Sequence, residues 1–280
     1  IAPLKDSPAM RAGILAGDVV VKVDGAETDP WSVEEAVDHI RGKKGSAVHL
    51  TLFRDGQDGY LELDVVRDTI KIHAVEWRIL ENKVAYLQIS SFNANVDAEF
   101  IAAARELRAA GATRLILDVR NNPGGLLDSA VTLGGWLMKR DSIVVMERFS
   151  DGTTEEIRSN GNGELSALPT VVLMNVGSAS AAEILAGALH DIRKIELIGE
   201  KSFGKGSVQQ VEEFYNGSSL KVTVAKWLTP NGVSISETGI TPTIEVKMDP
   251  SDYKDKGWEF GVVGKDPQLD KAIEVVKTTK

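Results

Sequence analysis

Residues 169–191 read PTVVLMNVGSASAAEILAGALHD. The apolar run up to Met174 and the run of small apolar residues after Ser180 predict a strand that leads directly into a helix. Many α/β enzymes mount a nucleophile at such a strand-to-helix turn, and Ser178 and Ser180 are the candidates here. The alternative is that one serine only caps the helix, with Glu183 completing a capping box from Ser180. Spacing alone favours the cap.

A serine nucleophile needs a base, and the four histidines do not provide one. His190 lies ten residues after Ser180, and ten residues of helix rise about 15 Å. We therefore predict that His190 is a cation near the helix C-terminus, where the helix dipole favours it. The other histidines, His39, His49 and His73, lie in or just past a small module at the start of the chain.

The segment GEKSFGKGSVQQ, residues 199–210, offers a lysine as the base instead. Lys205 lies between two glycines, and Ser207 and Gln209 follow at the two-residue period of a strand, so the three side chains are predicted to share one face. A lysine ionises near 10.4 in water and serves as a base only where burial lowers its pKa to about 7–8. The glycines would let the backbone pass closely and leave Lys205 to fill the site. The alternative is a lysine in a surface turn, which spacing alone favours.

A third stretch, LDVRNNPGG at residues 117–125, ends a buried strand in a tight turn. Its glycine N–H groups are free to face a ligand, which suits an oxyanion hole. Taken alone, the stretch is only a turn signal.

The rest of the pattern predicts two parts. The first is a small α+β module ending near residue 68, with a helix capped by Ser32 and two strands, near 47–54 and 59–66. The second alternates strands with helices, which predicts an α/β layer with partly parallel pairing. Its predicted strands are 83–92, 113–120, 142–148 and 169–174, and its predicted helices are 100–111, 127–138, 180–190 and 267–277.

Composition excludes several classes of function. The 280 residues contain 32 Lys and Arg against 41 Asp and Glu, a net charge of −9, which argues against a nucleic-acid partner. The absence of Cys excludes disulfides, thiolate metal sites and a cysteine nucleophile. No apolar run reaches the roughly 18–20 residues that span a bilayer. Because the sequence begins abruptly at Ile1, inside what looks like a structured module, we expect it to be a fragment of a longer chain.

Taken together, the motifs at 117–125, 175–191, 199–210 and 226–243 resemble, in order and spacing, the carboxyl-terminal processing proteases, also called tail-specific proteases. The stretch SPAMRAGILAGDVVVKVDG, residues 7–25, resembles the PDZ domain of that family. The resemblance implies a mixed α+β chain. Residues 1–68 would form the PDZ-like domain, whose first strand would lie upstream of Ile1. Residues 69–280 would form an α/β protease core with a mixed sheet.

The resemblance also implies a catalytic site. Ser180 corresponds to the family's nucleophile, Lys205 to its base, which would be neutral and desolvated, and Gln209 to its supporting glutamine. The oxyanion N–H groups would come from the Gly124/Gly125 turn and from Ala181. Glu183 and Arg120 are predicted to support the site.

The implied activity is that of a serine endopeptidase that forms an acyl-enzyme and needs no metal or organic cofactor. Its substrates would be proteins with apolar, poorly structured C-termini, bound partly by strand addition to the PDZ-like module. The resemblance points to the periplasm or cell envelope, and to a homo-oligomer or an activating partner that uses the region upstream of Ile1. Two alternatives stay open: a peptide-binding adaptor without catalysis, and a resting protease with a misaligned site.

Overall fold

The computed structural model describes residues 7–15, 17–70, 73–215, 218–248 and 256–279. The chain divides into two compact units, residues 1–72 and residues 73–280. The domain boundary expected after residue 68 stays a prediction.

The first unit is built on a four-stranded antiparallel sheet with the strand order β2-β1-β3-β4. Ser32 caps α2 through a capping box, since its hydroxyl accepts from Glu35 N and its N–H donates to Glu35 Oε2. The capped helix was predicted from this spacing and is confirmed. The elements of the unit are α1 (Pro8–Arg11), β1 (Val19–Val23), β2 (Ala26–Glu27), α2 (Val33–Ile40), β3 (Ala47–Phe53) and β4 (Tyr60–Val66).

The second unit is centred on a six-stranded mixed sheet with the order β14-β11-β10-β7-β6-β5. All its pairs are parallel except that between β5 and β6. The mixed sheet and the overall α+β character were predicted and are confirmed. The strands are β5 (Val75–Ile79), β6 (Val84–Ile89), β7 (Arg114–Asp118), β10 (Thr170–Met174), β11 (Glu196–Gly199) and β14 (Ile244–Glu245), with a 3₁₀ turn at Glu81–Lys83.

Helices cover both faces of this sheet. Alternate strand residues are buried on opposite faces, as in an α/β layer. The larger core packs against α3 (Val96–Ala109), α4 (Leu127–Leu137) and α5 (Ala181–Arg193). The smaller core packs against α6 (Pro267–Thr278), whose Leu269, Ala272 and Val276 are fully buried. Because β7 and β10 are neighbours and parallel, the turns that follow them meet at one edge of the sheet.

A separate four-stranded antiparallel sheet, in the order β12-β13-β8-β9, completes the unit. Its strands are β8 (Ile143–Phe149), β9 (Thr154–Arg158), β12 (Ser207–Glu213) and β13 (Ser219–Leu228). The sequence pattern placed the strand near 142–148 in the α/β series, and that placement was wrong. The strand pairs instead with a segment about 75 residues further along the chain, which local periodicity does not reveal.

In the described part of the chain, no helix combines the length and apolarity needed to cross a bilayer.

Candidate active site

Ser180 adopts an unusual backbone conformation at the start of α5. Its φ is 55° and its ψ is −118°, whereas an N-cap residue normally has β-region dihedrals. Ser7 and Ser32, which cap α1 and α2 through their side chains, both have those ordinary dihedrals. A positive φ in a residue with a side chain costs about 1–3 kcal/mol and is concentrated at functional sites. Ser180 and Glu183 do form the capping box that the spacing favoured, but this backbone conformation distinguishes Ser180 from the other two caps.

Ser178, the other candidate, is a structural residue. Its side chain is buried, its hydroxyl donates to Val119 O at 2.8 Å, and the same oxygen accepts from Asn175 N at 3.0 Å. These bonds hold the turn after β10 against the end of β7. Ser180 is only partly buried, so of the two serines it is the one accessible to a substrate.

Glu183 joins the segment of Ser180 to the segment of Lys205. Its carboxylate is fully buried. Oε2 accepts from Ser180 N at 2.8 Å and from Lys205 N at 3.0 Å. Oε1 accepts from the Ser202 hydroxyl at 2.5 Å and from Gly204 N at 2.6 Å. One buried carboxylate therefore fixes both backbones, and four donors satisfy it in place of water.

The two glycines beside Lys205 allow a close approach of backbones. A Cβ added at Gly206 would lie 2.1 Å from Ser236 N, and one at Gly204 would lie 2.9 Å from Gly239 N. Gly204 also has a φ of 89°, which residues with side chains rarely adopt. This close passage agrees with the expectation drawn from the glycine-flanked lysine.

The side chains of Lys205 and Gln209 do not have the predicted surroundings. Both residues are exposed, whereas a buried, desolvated lysine was expected, and that expectation was wrong for this conformation. Among the described residues, neither Lys205 Nζ nor the Gln209 amide has a hydrogen-bond partner, and Ser180 Oγ is not bonded to Nζ. The physical reason is that β12, which follows Lys205, is an edge strand covered on one side only, by β13.

The Gly124/Gly125 turn lies directly against Ser180. A Cβ added at Gly124 would lie 2.7 Å from Ser180 Cβ and 2.9 Å from Ala181 N. The N–H of Gly124 donates to Asn122 Oδ1 at 2.8 Å. The N–H groups of Gly125 and Ala181 have no acceptor within the ranges that the structure describes. Of the two predicted glycines, it is therefore Gly125 that has an N–H group available to an oxyanion.

Arg120, which was predicted to support the site, precedes this turn in the chain, and its side chain bonds to neither Ser180 nor Lys205. It is buried and forms ion pairs with Asp118 at 2.6 Å and with Asp266 at 2.8 Å. Although burial opposes its charge, the two carboxylates raise the pKa of Arg120 above its ordinary value. Because Asp266 is the N-cap of α6, the pair fastens the end of β7 to that helix.

Comparison with known proteins identifies the family of this chain. Residues 83–246 match peptidase family S41, and residues 2–54 match the PDZ domain. The chain belongs to peptidase family S41. The carboxy-terminal processing protease CtpA of Bacillus subtilis is 41% identical over 89% of this chain and 53% of its own length. The carboxyl-terminal-processing protease of Picosynechococcus sp. is 40% identical over 92% of the chain and 63% of its own length. The chain therefore spans between half and two thirds of the length of these S41 relatives.

A solved structure extends the likeness to three dimensions. The photosystem II D1 C-terminal processing protease superposes with a TM-score of 0.59 at 33% identity, covering 88% of this chain and 67% of its own. The match to S41 includes Ser180, Lys205 and the Gly124/Gly125 turn.

Sequence reasoning missed two buried asparagines of the S41 region. Asn122 is fully buried; its Nδ2 donates to Ile89 O at 2.8 Å, and its carbonyl accepts from Ala179 N at 2.9 Å. Asn175 Oδ1 accepts from Asn121 N at 2.9 Å, and Asn175 Nδ2 donates back to Asn121 Oδ1 at 2.9 Å. Asn122 was interpreted only as part of the turn signal before the proline. Asn122 and Asn175 each follow shortly after a buried strand, and this position is the signal that could have identified them.

Across the described ranges, no group of three or more His, Cys, Asp or Glu side chains has the arrangement of a metal site.

Proposed function

We propose that this chain is a serine endopeptidase of the carboxyl-terminal processing type, with Ser180 as nucleophile and Lys205 as base. The observation that carries the proposal is the Glu183 carboxylate, whose Oε2 accepts from Ser180 N and from Lys205 N. A buried charge is costly to desolvate and is found where it is paired or fully hydrogen-bonded. Here its four donors come from the two segments that would carry the nucleophile and the base.

The proposed reaction is acyl transfer to Ser180. Lys205, in its neutral form, takes the proton from Ser180 Oγ, which forms a bond to a peptide carbonyl carbon of the substrate. The N–H groups of Gly125 and Ala181 would hold the resulting oxyanion. Lys205 then gives the proton to the leaving amine, and the C–N bond breaks. Water, activated by the same lysine, hydrolyses the ester and restores Ser180.

The exposed position of Lys205 fits a resting state. Its four-carbon stem can carry Nζ toward Ser180 without moving the backbone that Glu183 holds. A substrate lying over the site would exclude water from the amine and favour its neutral form. Gln209, in β12, would then orient the amine.

The proposed substrates are proteins with apolar, unstructured C-termini. The PDZ-like domain (residues 1–68) would bind them partly by adding the substrate as a strand to its own sheet, and the core (residues 69–280) would cleave them. Processing of a C-terminus is what the names of the relatives state for those proteins. We place the activity in the periplasm or cell envelope and allow for a homo-oligomer or an activating partner. A silent peptide adaptor is the second candidate, and the match of residues 2–54 to the PDZ domain favours it.

The test is cleavage of an unfolded protein with an apolar C-terminus, with the products identified by mass spectrometry. The chain is compared with a version extended upstream, each also as Ser180→Ala, Lys205→Ala and the control Lys201→Ala, an exposed lysine of the same segment. We expect Ser180→Ala and Lys205→Ala to abolish cleavage and Lys201→Ala to leave it unchanged. Full activity in Lys205→Ala would refute the Ser-Lys pair. No cleavage by any version, with peptide binding retained, would favour the adaptor.

A further inference from the structure

Two cations face each other across β8 and β13 close to the proposed site. Lys226 and Arg148 are direct register partners in this antiparallel pair. Like charges placed directly opposite one another destabilise a sheet. Both side chains are exposed, and neither has a hydrogen-bond or ion-pair partner in the described part of the chain.

Acidic neighbours do not compensate this pair. Glu147 precedes Arg148 in β8, but successive strand residues point to opposite faces, so its carboxylate lies on the other side of the sheet. Glu155 is the register partner of Glu147 and shares that other face. Glu156 shares the face of Arg148, but it forms an ion pair with Arg158. The two cations are therefore left available to an anion from outside the chain.

A cavity of about 250 Å³ lies beside the two cations. Arg148 and Lys226 both line it, together with Thr223, Val224 and Ser150. The cavity forms where β13 carries one extra residue: Val224 has no register partner in β12 or in β8. Such a bulge interrupts the ladder and opens the sheet locally. Two cations beside a concave surface suit a carboxylate ligand, because a guanidinium can bind both oxygens of a carboxylate at once.

The cavity lies within reach of a substrate held at Ser180. Ser207, two residues after Lys205, is the register partner of Lys226. Two residues along a strand span about 6.6 Å, and the neighbouring strand lies about 4.8 Å away at a right angle, so Lys226 Cα lies about 8 Å from Lys205 Cα. An extended substrate chain covers that distance in about two to three residues.

We propose that Arg148 and Lys226 bind a carboxylate of the substrate tail, about two to three residues from the bond that Ser180 attacks. The terminal carboxylate is the group that every substrate tail carries, and an acidic side chain at the same distance offers the same chemistry. This inference rests on the proposed function, because it places a protein substrate at Ser180. Such a site would let the core itself select the bond that lies at a fixed distance from the C-terminus of the substrate.

The test is peptide binding to the Ser180→Ala chain, measured by fluorescence anisotropy, so that it does not depend on turnover. Three labelled apolar peptides are compared. The first ends in a free carboxylate, the second is the same peptide with a C-terminal carboxamide, and the third is that carboxamide with glutamate as its last residue. Each peptide is measured with three versions of the Ser180→Ala chain. One has no further change, one carries Arg148→Gln/Lys226→Gln, and one carries Lys139→Gln/Arg140→Gln. The last variant removes the same two cation types from an exposed turn outside the cavity.

We expect the free acid to bind about tenfold more tightly than the plain carboxamide, as charge-assisted hydrogen bonds predict. This difference should disappear in Arg148→Gln/Lys226→Gln and persist in Lys139→Gln/Arg140→Gln. A glutamate peptide that matches the free acid would identify any carboxylate as the ligand, and one that does not would identify the terminus. Equal affinity of all three peptides, or a difference that survives Arg148→Gln/Lys226→Gln, overturns the inference even if the chain is an active protease. Absence of cleavage by the active chain counts against the proposed function alone.

Discussion

Ser180 and Lys205 donate their backbone N–H groups to the same oxygen atom, Oε2 of Glu183, at 2.8 and 3.0 Å. This shared acceptor holds together the backbones of Ser180 and Lys205, which are 25 positions apart in the chain, and leaves the lysine side chain free to move. The backbones of the proposed nucleophile and base would thus be held in place. Lys205 Nζ would approach Ser180 only when a substrate is bound.

Glu183→Gln should weaken both the fold and the activity. A glutamine amide nitrogen cannot accept hydrogen bonds, so two of the four donors around residue 183 would lose their acceptor. We expect the free energy of unfolding to fall by about 2–3 kcal/mol, and cleavage to fall with it. Urea denaturation and peptide cleavage measure the two effects. Glu196→Gln, which changes the same charge on β11, should alter neither, and an unchanged midpoint in Glu183→Gln would contradict the bridging role.

Gly124→Ala should abolish the proposed cleavage while leaving most of the fold intact. The new Cβ would lie 2.5 Å from Ala179 O and 2.7 Å from Ser180 Cβ, so the Ser180 turn must move. A shift of about 1 Å in a catalytic group costs about a hundredfold in rate. Gly232→Ala is the matched control, because its φ of 81° imposes similar backbone strain with nothing within 4 Å of the Cβ. Comparable kcat/KM losses in the two variants would assign the effect to strain alone.

Asp266→Asn should destabilise the second unit. Arg120 and Asp266 are both buried, and removal of one charge of a buried pair typically costs 3–5 kcal/mol. Because Asp118 still pairs with Arg120, we expect about 3 kcal/mol, measured by urea denaturation. Asp270→Asn, in the first turn of the same helix but partly exposed, should cost less than about 0.5 kcal/mol. Equal costs would show that Asp266 acts only as a helix cap.

His49 should make the stability of the first unit depend on pH. Hydrogen bonds to Asp64 and Glu62 raise the pKa of His49 above its usual value near 6.5. A raised pKa in the folded state means that the stabilisation is complete below about 6.5 and is lost as the pH rises through the folded value. NMR titration of the ring measures this pKa directly. Asp64→Asn/Glu62→Gln should return it toward 6.5, whereas Glu27→Gln/Asp29→Asn should leave it raised.

Much of the local structure could be predicted from the sequence. The capping box of α2, the strand that ends before Ser178 and the helix after Ser180 depend on residues a few positions apart, so periodicity and cap spacing reveal them. The helix after the strand at 84–89 was expected to start at residue 100 but starts at Val96, because the acidic first turn, with Asp97 and Glu99, extends it. Strand β9 was not predicted, since its pattern is exposed and mostly polar.

The contacts between distant segments could not be predicted in this way. The exposure of Lys205 follows from the edge position of β12, and the availability of the Gly125 N–H follows from the bond between Gly124 and the Asn122 side chain. Neither is visible in the spacing of residues.

The sequence by itself determined the residue types and their order: a serine at a strand-to-helix turn, a lysine between glycines, and a Pro-Gly-Gly turn, the motifs of family S41. Only the tertiary structure decided which groups meet, namely Ser180 and Lys205 on Glu183, and Arg148 against Lys226. The physical reason is that helix and turn propensities act over three or four residues. Hydrogen bonds and strand pairing between segments dozens of residues apart form only once the chain has packed.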